Sequence, residues 1–271
     1  MWVKRVVIVA VLIFAVCALA SSSRKVEAAP NLTVINSYGY RDTVFGIYWL
    51  FGEVQNTGDT AATNIIINAS YYDAYNNLIN VSSATIPLVS GGLFLNTFVL
   101  NPGAKVSFWT ALFPTQGSAS VDHYDFAISF EESASKAVGL QILSSTVTNY
   151  GIGSVNVTGT AKNVGVVAQS GIDVYVAVYD SGGKVVGTTW MAWIDRSVSA
   201  NEEVSFEFTL LIIPNPYVET VNFGVTAQSP DYVTASAYTG TVIPEFPSLI
   251  TTMLLMMLTT AVLVFYKKRN I

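Results

Sequence analysis

One pattern in this chain returns at a fixed distance. Gly52-Glu53-Val54-Gln55-Asn56-Thr57-Gly58 reappears as Gly159-Thr160-Ala161-Lys162-Asn163-Val164-Gly165, Tyr72-Asp73 as Tyr179-Asp180 and Gly46 as Gly153, all at an offset of 107 residues without a gap. Further on, Asn101-Pro102-Gly103-Ala104-Lys105-Val106-Ser107-Phe108 matches Ser199-Ala200-Asn201-Glu202-Glu203-Val204-Ser205-Phe206 at an offset of 98, so the first copy holds nine extra residues before this point. Tyr124 to Ser129 then pairs with Val221 to Thr226. A tandem duplication of a unit of about 100 residues constrains the fold strongly, because each copy must build the same core from the same positions.

Within each copy the apolar period is two, which marks half-buried strands. Ile65, Ile67, Ala69 and Tyr71 correspond to Ile172, Val174, Val176 and Val178, and all suit a core. Between them lie Asn64, Ile66, Asn68 and Ser70 in one copy and Gly171, Asp173, Tyr175 and Ala177 in the other. The preceding strand behaves alike, Tyr48, Leu50, Gly52 and Val54 matching Val155, Val157, Gly159 and Ala161. No helical spacing is sustained between residues 30 and 243. The Asn-x-Gly elements read as turns in which glycine supplies a positive φ, and Asp73 and Asp180 end strands where a carboxylate can accept from its own turn amides. Several short strands with regular turns predict an all-β chain of two tandem β-sandwich domains with Greek-key connections.

These residues resemble a family. A strand carrying Gly-x-Val-x-Asn-x-Gly, or Gly-x-Ala-x-Asn-x-Gly in the second copy, followed by an alternating strand ending in Tyr-Asp, is similar to the FxLYD domain, an immunoglobulin-like sandwich of prokaryotic envelope proteins, and to the related CARDB-type adhesion modules. The name-giving motif here reads Ala69-Ser70-Tyr71-Tyr72-Asp73 and Val176-Ala177-Val178-Tyr179-Asp180. The resemblance spans nearly all of 40–230, implies immunoglobulin-like sandwiches and brings no catalytic residues.

The two ends read differently from the body. The chain is 51% hydrophobic and only 11% charged, against about 25% charged in an average globular chain, which implies apolar segments beyond a soluble core. Met1-Trp2-Val3-Lys4-Arg5, the uncharged run from Val6 to Ala20 and the small residues up to Val26-Glu27-Ala28 form a secretory signal with cleavage expected after Ala28; Ala20 is a second site and an uncleaved anchor the rival reading. Ser248 to Tyr266 is a run of 19 uncharged residues, which as a helix spans about 28 Å and so crosses a bilayer. Lys267, Lys268 and Arg269 follow and by the positive-inside rule lie in the cytoplasm, which leaves the body outside. The expected division is therefore signal peptide 1–28, sandwich domains 29–135 and 136–241, and a tail over 242–271. Pro244-Glu245-Phe246, a transmembrane run and a short basic end together resemble the archaeal PEF-type C-terminal sorting signals that archaeosortase-like membrane proteases process. That resemblance implies removal of the tail; an ordinary single-pass anchor is the alternative.

Charge and cysteine content exclude much. Residues 29–246 hold six basic and 17 acidic side chains, a net charge of −11, and such a field repels nucleic acid. One cysteine, Cys17 in the leader, and one histidine exclude an intrachain disulfide, a Cys/His zinc site and a thiol enzyme in the mature body. No cofactor is expected.

Asn31, Asn68, Asn80 and Asn156 begin Asn-x-Ser/Thr sequons, candidate glycan acceptors in a secreted chain. His123, beside Asp122 and Asp125, lacks a Gly-x-Ser-x-Gly elbow to complete a triad and reads as a loop residue before the strand at Tyr124. Glu131-Glu132 and Glu202-Glu203 are adjacent in sequence, so in a strand they point to opposite faces, and they read as solvated turn charges rather than a glycosidase pair. Asp73 with Asn76 and Asn77 offers oxygen ligands for calcium, but its counterpart Asp180 is followed by Ser and Gly; no metal is expected. Ile47, Trp49 and Phe51 place apolar groups on the outward set where the second copy has Ser154, Asn156 and Thr158. This implies packing between the domains, a binding surface for protein or carbohydrate that Trp190 and Trp193 would complete, or a different strand register.

The expected function is a non-catalytic, membrane-anchored cell-surface protein, not an enzyme, that serves adhesion, envelope assembly or binding. Its expected partners are membrane lipid, extracellular protein or carbohydrate and a sorting protease, and nucleic acid is excluded. An accessory subunit of a membrane complex is the first alternative and a carbohydrate-active ectoenzyme the second.

Overall fold

A computed structural model describes residues 29–86, 98–149, 154–188, 192–211 and 222–244. The expected signal peptide, Trp190, Glu245, Phe246 and the C-terminal apolar run lie outside the described residues. Among those residues the chain is all-β, and no helix is long and apolar enough to cross a membrane.

The first unit contains β1 (Leu32–Arg41), β2 (Tyr48–Asn56), β3 (Ala61–Tyr72), β4 (Leu78–Ile86), β5 (Lys105–Leu112) and β6 (His123–Ser133). They form two three-stranded sheets, β1-β2-β5 and β4-β3-β6. Leu50 and Val54 from one sheet and Ile65, Ile67, Ala69 and Tyr71 from the other are fully buried, so the alternation of the sequence faces the core as expected, and Ile66 on the other set is exposed. Two stacked sheets burying one face each is the sandwich solution to that pattern.

The second unit contains β7 (Ala137–Asn149), β8 (Ser154–Asn163), β9 (Ile172–Tyr179), β10 (Val185–Thr188), β11 (Ala192–Ile194), β12 (Glu203–Leu211), β13 (Asn222–Gln228), β14 (Tyr232–Thr234), β15 (Tyr238–Thr241) and β16 (Ile243–Pro244). The orders β7-β8-β12 and β10-β9-β13 reproduce those of the first unit, with β14 joining the layers by pairing in parallel with β7. Ile172, Val174, Val176 and Val178 are fully buried in its core. β16 pairs with the end of β7, Ile243 opposite Thr148 and Pro244 opposite Asn149, so the unit extends past residue 241.

The repeated residues hold equivalent places. Asn56 and Asn163 are wholly buried. The side-chain amide of Asn56 donates to the carbonyls of Thr60 and Leu100, and its oxygen accepts from the N–H of Gly58. Asn163 does the same with Val167, Val198 and Gly165. A Cβ on Gly52 would stand 2.3 Å from the Phe108 ring across the strand pair, and one on Gly159 would stand 2.4 Å from Phe206. In each copy a glycine makes room for an aromatic ring lying over the neighbouring strand.

One expectation is corrected. Gly58 and Gly165 do not have positive φ; the left-handed residues of this corner are Gly103 and Asn201, on the facing turn. Gly58 is required by close approach instead, since a Cβ there would lie 2.2 Å from the Ala29 carbonyl oxygen, and one on Gly165 would lie 2.2 Å from the Tyr232 ring.

Candidate functional site

The outer face of β1-β2-β5 is where the two units meet. Alternation puts Trp49 and Phe51 outward on β2, and Trp109 on β5 lies opposite Phe51. In a lone sandwich these rings would face water. Here they pack with Ala177 on β9 and Val185 on β10, together with Tyr40, Ile47, Ala111 and Tyr179. Trp49 retains 8% of its accessible surface and Phe51 1%. The outward aromatics thus form the packing between units, and burial removes Trp49 and Phe51 from use as a surface for an external ligand. Trp193 stands on β11 opposite Asp173, away from the Trp49 cluster, and is partly exposed.

Polar groups fix the register of this interface. Glu53 continues the outward set of β2 and is buried, with the Lys105 ammonium 3.1 Å from its Oε1. The Tyr179 hydroxyl donates to the same carboxylate at 2.5 Å, and Lys105 also sits 5.3 Å over the Tyr179 ring. Burial and the hydrogen bond to Glu53 push the Tyr179 phenol well above its ordinary range, so it remains a donor. Asn36 donates to the Gly183 carbonyl at 2.8 Å, and the hydroxyls of Ser107 and Thr188 lie 2.6 Å apart.

The connection between units is clamped as well. Asn101 holds the Lys136 backbone from both sides, its oxygen accepting from the Lys136 N–H and its amide donating to the Lys136 carbonyl. Gln228 likewise exchanges two bonds of 2.9 Å with the backbone of Val99. The Lys136 ammonium donates to Gln228 and to the Ser229 carbonyl, and burial depresses its pKa to about 8 against the pull of Asp173 and Asp231.

A cleft of about 300 Å³ runs between the units, lined by Glu53, Lys105 and Ser107 from one and Tyr175, Tyr179 and Thr226 from the other. A neighbouring hollow of about 360 Å³ shares Lys105, Tyr175 and Thr226 and adds Phe98 and Gln228. Its lining combines two tyrosine rings, small residues and the Glu53–Lys105 ion pair.

The remaining candidates are dispersed. His123 is the first residue of β6 rather than a loop residue; it stacks on Tyr72 and its Nδ1 lies 3.1 Å from Asp122. Glu131 and Glu132 are exposed on β6 rather than in a turn, and Glu131 accepts from Asn64. Glu202 accepts from Arg196 and from the Ser199 N–H, contacts that hold its carboxyl below the ordinary range, while Glu203 pairs with Lys162. The Asp73 carboxylate accepts from the amides of Tyr75 and Asn77 and from the Asn77 side chain, which lowers its pKa and closes an Asx turn. The Asp180 carboxylate accepts from the N–H groups of Gly182 and Lys184 and closes the equivalent turn in the second copy. Asn76 takes positive φ where Gly183 does in the second copy. Among the described residues no cluster of three acidic, His or Cys groups is spaced to hold a metal. Of the sequons, Asn31 is exposed, Asn80 lies on edge strand β4, and Asn68 and Asn156 sit half-buried on central strands β3 and β8.

No protein-family model matches the chain, and no curated protein sequence does. Among solved structures it is similar to red sea bream transglutaminase at 12% identity with a TM-score of 0.25, covering 83% of this chain and 32% of that one. It is similar to a β-glucuronidase of Bacteroides uniformis at 10% identity and a TM-score of 0.26, covering 79% and 32%. A glycosyl hydrolase family 2 member from Bacteroides cellulosilyticus gives 11% identity and 0.28, covering 72% and 28%. The chain thus spans about a third of the length of these structures or less, and likeness this low assigns neither family nor activity.

Proposed function

We propose that this chain is a non-catalytic surface protein whose two immunoglobulin-like sandwiches, of the FxLYD or CARDB type, act as one rigid binding or assembly module outside a membrane. The observation that carries the reading is the fate of the shared residues: Asn56 and Asn163, Gly52 and Gly159, and Asp73 and Asp180 fill matching structural places. Its signal peptide directs export, and the apolar run 248–266 anchors it until a sorting protease acting near Pro244-Glu245-Phe246 exchanges that tail for another anchor. Extracellular protein or carbohydrate is the partner class, the cleft beside Lys105 and Tyr179 its receiving site. A second reading, an accessory subunit of a membrane complex, draws on the exposed Val44, Phe45 and Tyr75 at loops of the first unit.

Intact-mass and lipid analysis of the protein from native membranes tests the reading. A mass lacking residues 1–28 and everything after about Phe246, with added lipid or glycan, is the expected result. Retention of Lys267 to Ile271 would overturn the processing step and favour the accessory subunit. Recovery of the whole chain from a membrane-free fraction would overturn the anchor altogether.

A further inference from the structure

The second unit docks on the first through one edge, and among the described residues the first unit carries the same edge uncovered. In the docked edge, Val185 pairs with Tyr179, and Thr188 with Ala177, across a register shift. At an offset of 107 the first unit repeats this arrangement: Leu78 pairs with Tyr72 and Val81 with Ser70, with the same shift between. Asn76 has positive φ where Gly183 does. Backbone, bulge and turn are therefore equivalent in the two edges.

Their surroundings differ. Val185 is fully buried and Thr188 is 5% exposed, because the aromatic face of β1-β2-β5 covers them. Leu78 is 56% exposed and Val81 46%, and Tyr75 beside them is 85% exposed where the second copy has Gly182. Three large apolar groups thus stand in water on a surface whose counterpart is an interface in the same molecule.

We propose that the β3–β4 edge of the first unit is a second docking surface. Its partner is another sandwich unit presenting a three-stranded sheet face floored by tryptophan and phenylalanine and edged by a carboxylate–lysine pair. The internal interface supplies that description, since it shows what this edge geometry fits. A second copy of this chain does not supply the face. Its aromatic face is filled by its own second unit, and the equivalent face of that unit carries Asn156, Thr158, Thr160, Glu203, Ser205 and Glu207. The partner is therefore a different polypeptide. This deepens the assembly reading and rests on it, but the test below measures docking in solution, wherever the chain resides in the cell.

The test opens the aromatic face and asks whether the free edge finds it. Full-length protein in mild detergent should sediment as a monomer. Val185→Asp, which drives the second unit's edge out of the aromatic face, should form dimers and larger species, and adding Leu78→Asp and Val81→Asp should return it to monomer with a red-shifted tryptophan emission. Association that persists in the triple variant, or a monomeric Val185→Asp protein with red-shifted tryptophans, would overturn the proposal. Should Val185→Asp lose its cooperative unfolding, a photo-cross-linker at Val81 in the otherwise unaltered chain answers in native membranes. Cross-links to aromatic positions on alternating strands of another polypeptide support the proposal. Cross-links only to lipid, glycan or copies of this chain overturn it, as does a glycan on Asn80, which lies between Leu78 and Val81.

Discussion

Replacing Asn56 or Asn163 by alanine tests the duplication at its most buried polar point. Each side chain makes three hydrogen bonds of 2.8 to 3.0 Å, two donated to carbonyls and one accepted from a glycine N–H, and Asn56 accepts a fourth from the Asn31 N–H at 3.3 Å. Leu100 and Val198 keep a backbone partner when the amide is removed, through the N–H groups of Ala62 and Gln169. In the first copy this leaves the Gly58 N–H, the Asn31 N–H and the Thr60 carbonyl without that partner, whereas in the second the Gly165 N–H keeps the Gly139 carbonyl and the Val167 carbonyl keeps the Gln169 side-chain amide. At about 1 kcal/mol for each bond lost, the expected destabilisation is about 4 kcal/mol for Asn56→Ala and about 3 kcal/mol for Asn163→Ala. For a unit of this size that corresponds to about 10–20 °C in Tm. Urea unfolding followed by circular dichroism reads the first figure and a thermal scan the second. Aspartate at the same positions keeps the acceptor, loses both donations and buries a charge, so its loss at pH 7 should be at least as large. A loss below about 1 kcal/mol for either alanine variant, or losses differing by more than about 2 kcal/mol, would refute the claim of matched roles.

Gly58→Ala and Gly165→Ala should each destabilise by more than Gly103→Ala in urea unfolding, because their Cβ atoms meet neighbouring atoms at 2.2 Å whereas Gly103, at φ +77°, has nothing within 4 Å. The reverse order would show that backbone strain outweighs contact here. Tyr179→Phe removes a donor to the buried Glu53 carboxylate and should cost about 1.5–3 kcal/mol, measured by urea unfolding, with Lys105→Met non-additive with it in a double-mutant cycle; simple additivity would count against a shared network. Lys136, with its pKa lowered from 10.5 to about 8 in the folded chain, binds its proton more weakly than in the unfolded chain. Stability should therefore rise between pH 8 and 10.5, and Lys136→Met should flatten that rise; an unchanged slope would remove Lys136 as its cause.

Much of the architecture was legible because the duplication doubled every signal. Period two at Ile65 to Tyr71 and again at Ile172 to Val178 gave the facing of both central strands, and the Tyr-Asp pairs gave their ends. The Asn-x-Gly corner was legible only as a turn. The buried amide of Asn56 and the crowding at Gly58 arise from Leu100 and Ala29, which are distant in sequence. The interface was half legible. Aromatics on the outward set of one copy pointed to packing or binding, but nothing in the sequence marked Glu53 among them. Its partner Tyr179 lay 126 residues away inside a motif with a complete local explanation. Local reading has no reason to look further once a residue is accounted for.

The same comparison explains why two docked copies need not become many. A heterologous interface propagates whenever both of its surfaces stay available at the ends of the array. Here one of them has been altered: Trp49, Phe51 and Trp109 of the first unit correspond to Asn156, Thr158 and Glu207 of the second, at offsets of 107 and 98. Asn156 donates to Glu207 at 3.1 Å, so the second face is a polar network on which an apolar edge would strand unpaired groups. Restoring the aromatics should remove that barrier. A chain carrying Asn156→Trp, Thr158→Phe and Glu207→Trp offers an unfilled aromatic face beside its free Leu78 and Val81 edge, and should grow head-to-tail with rising concentration in sedimentation velocity. Leu78→Asp and Val81→Asp in that background should end the growth. Growth that continues would show general stickiness of the new face. A monomer at all concentrations would show that the edge geometry, although repeated, does not by itself specify docking.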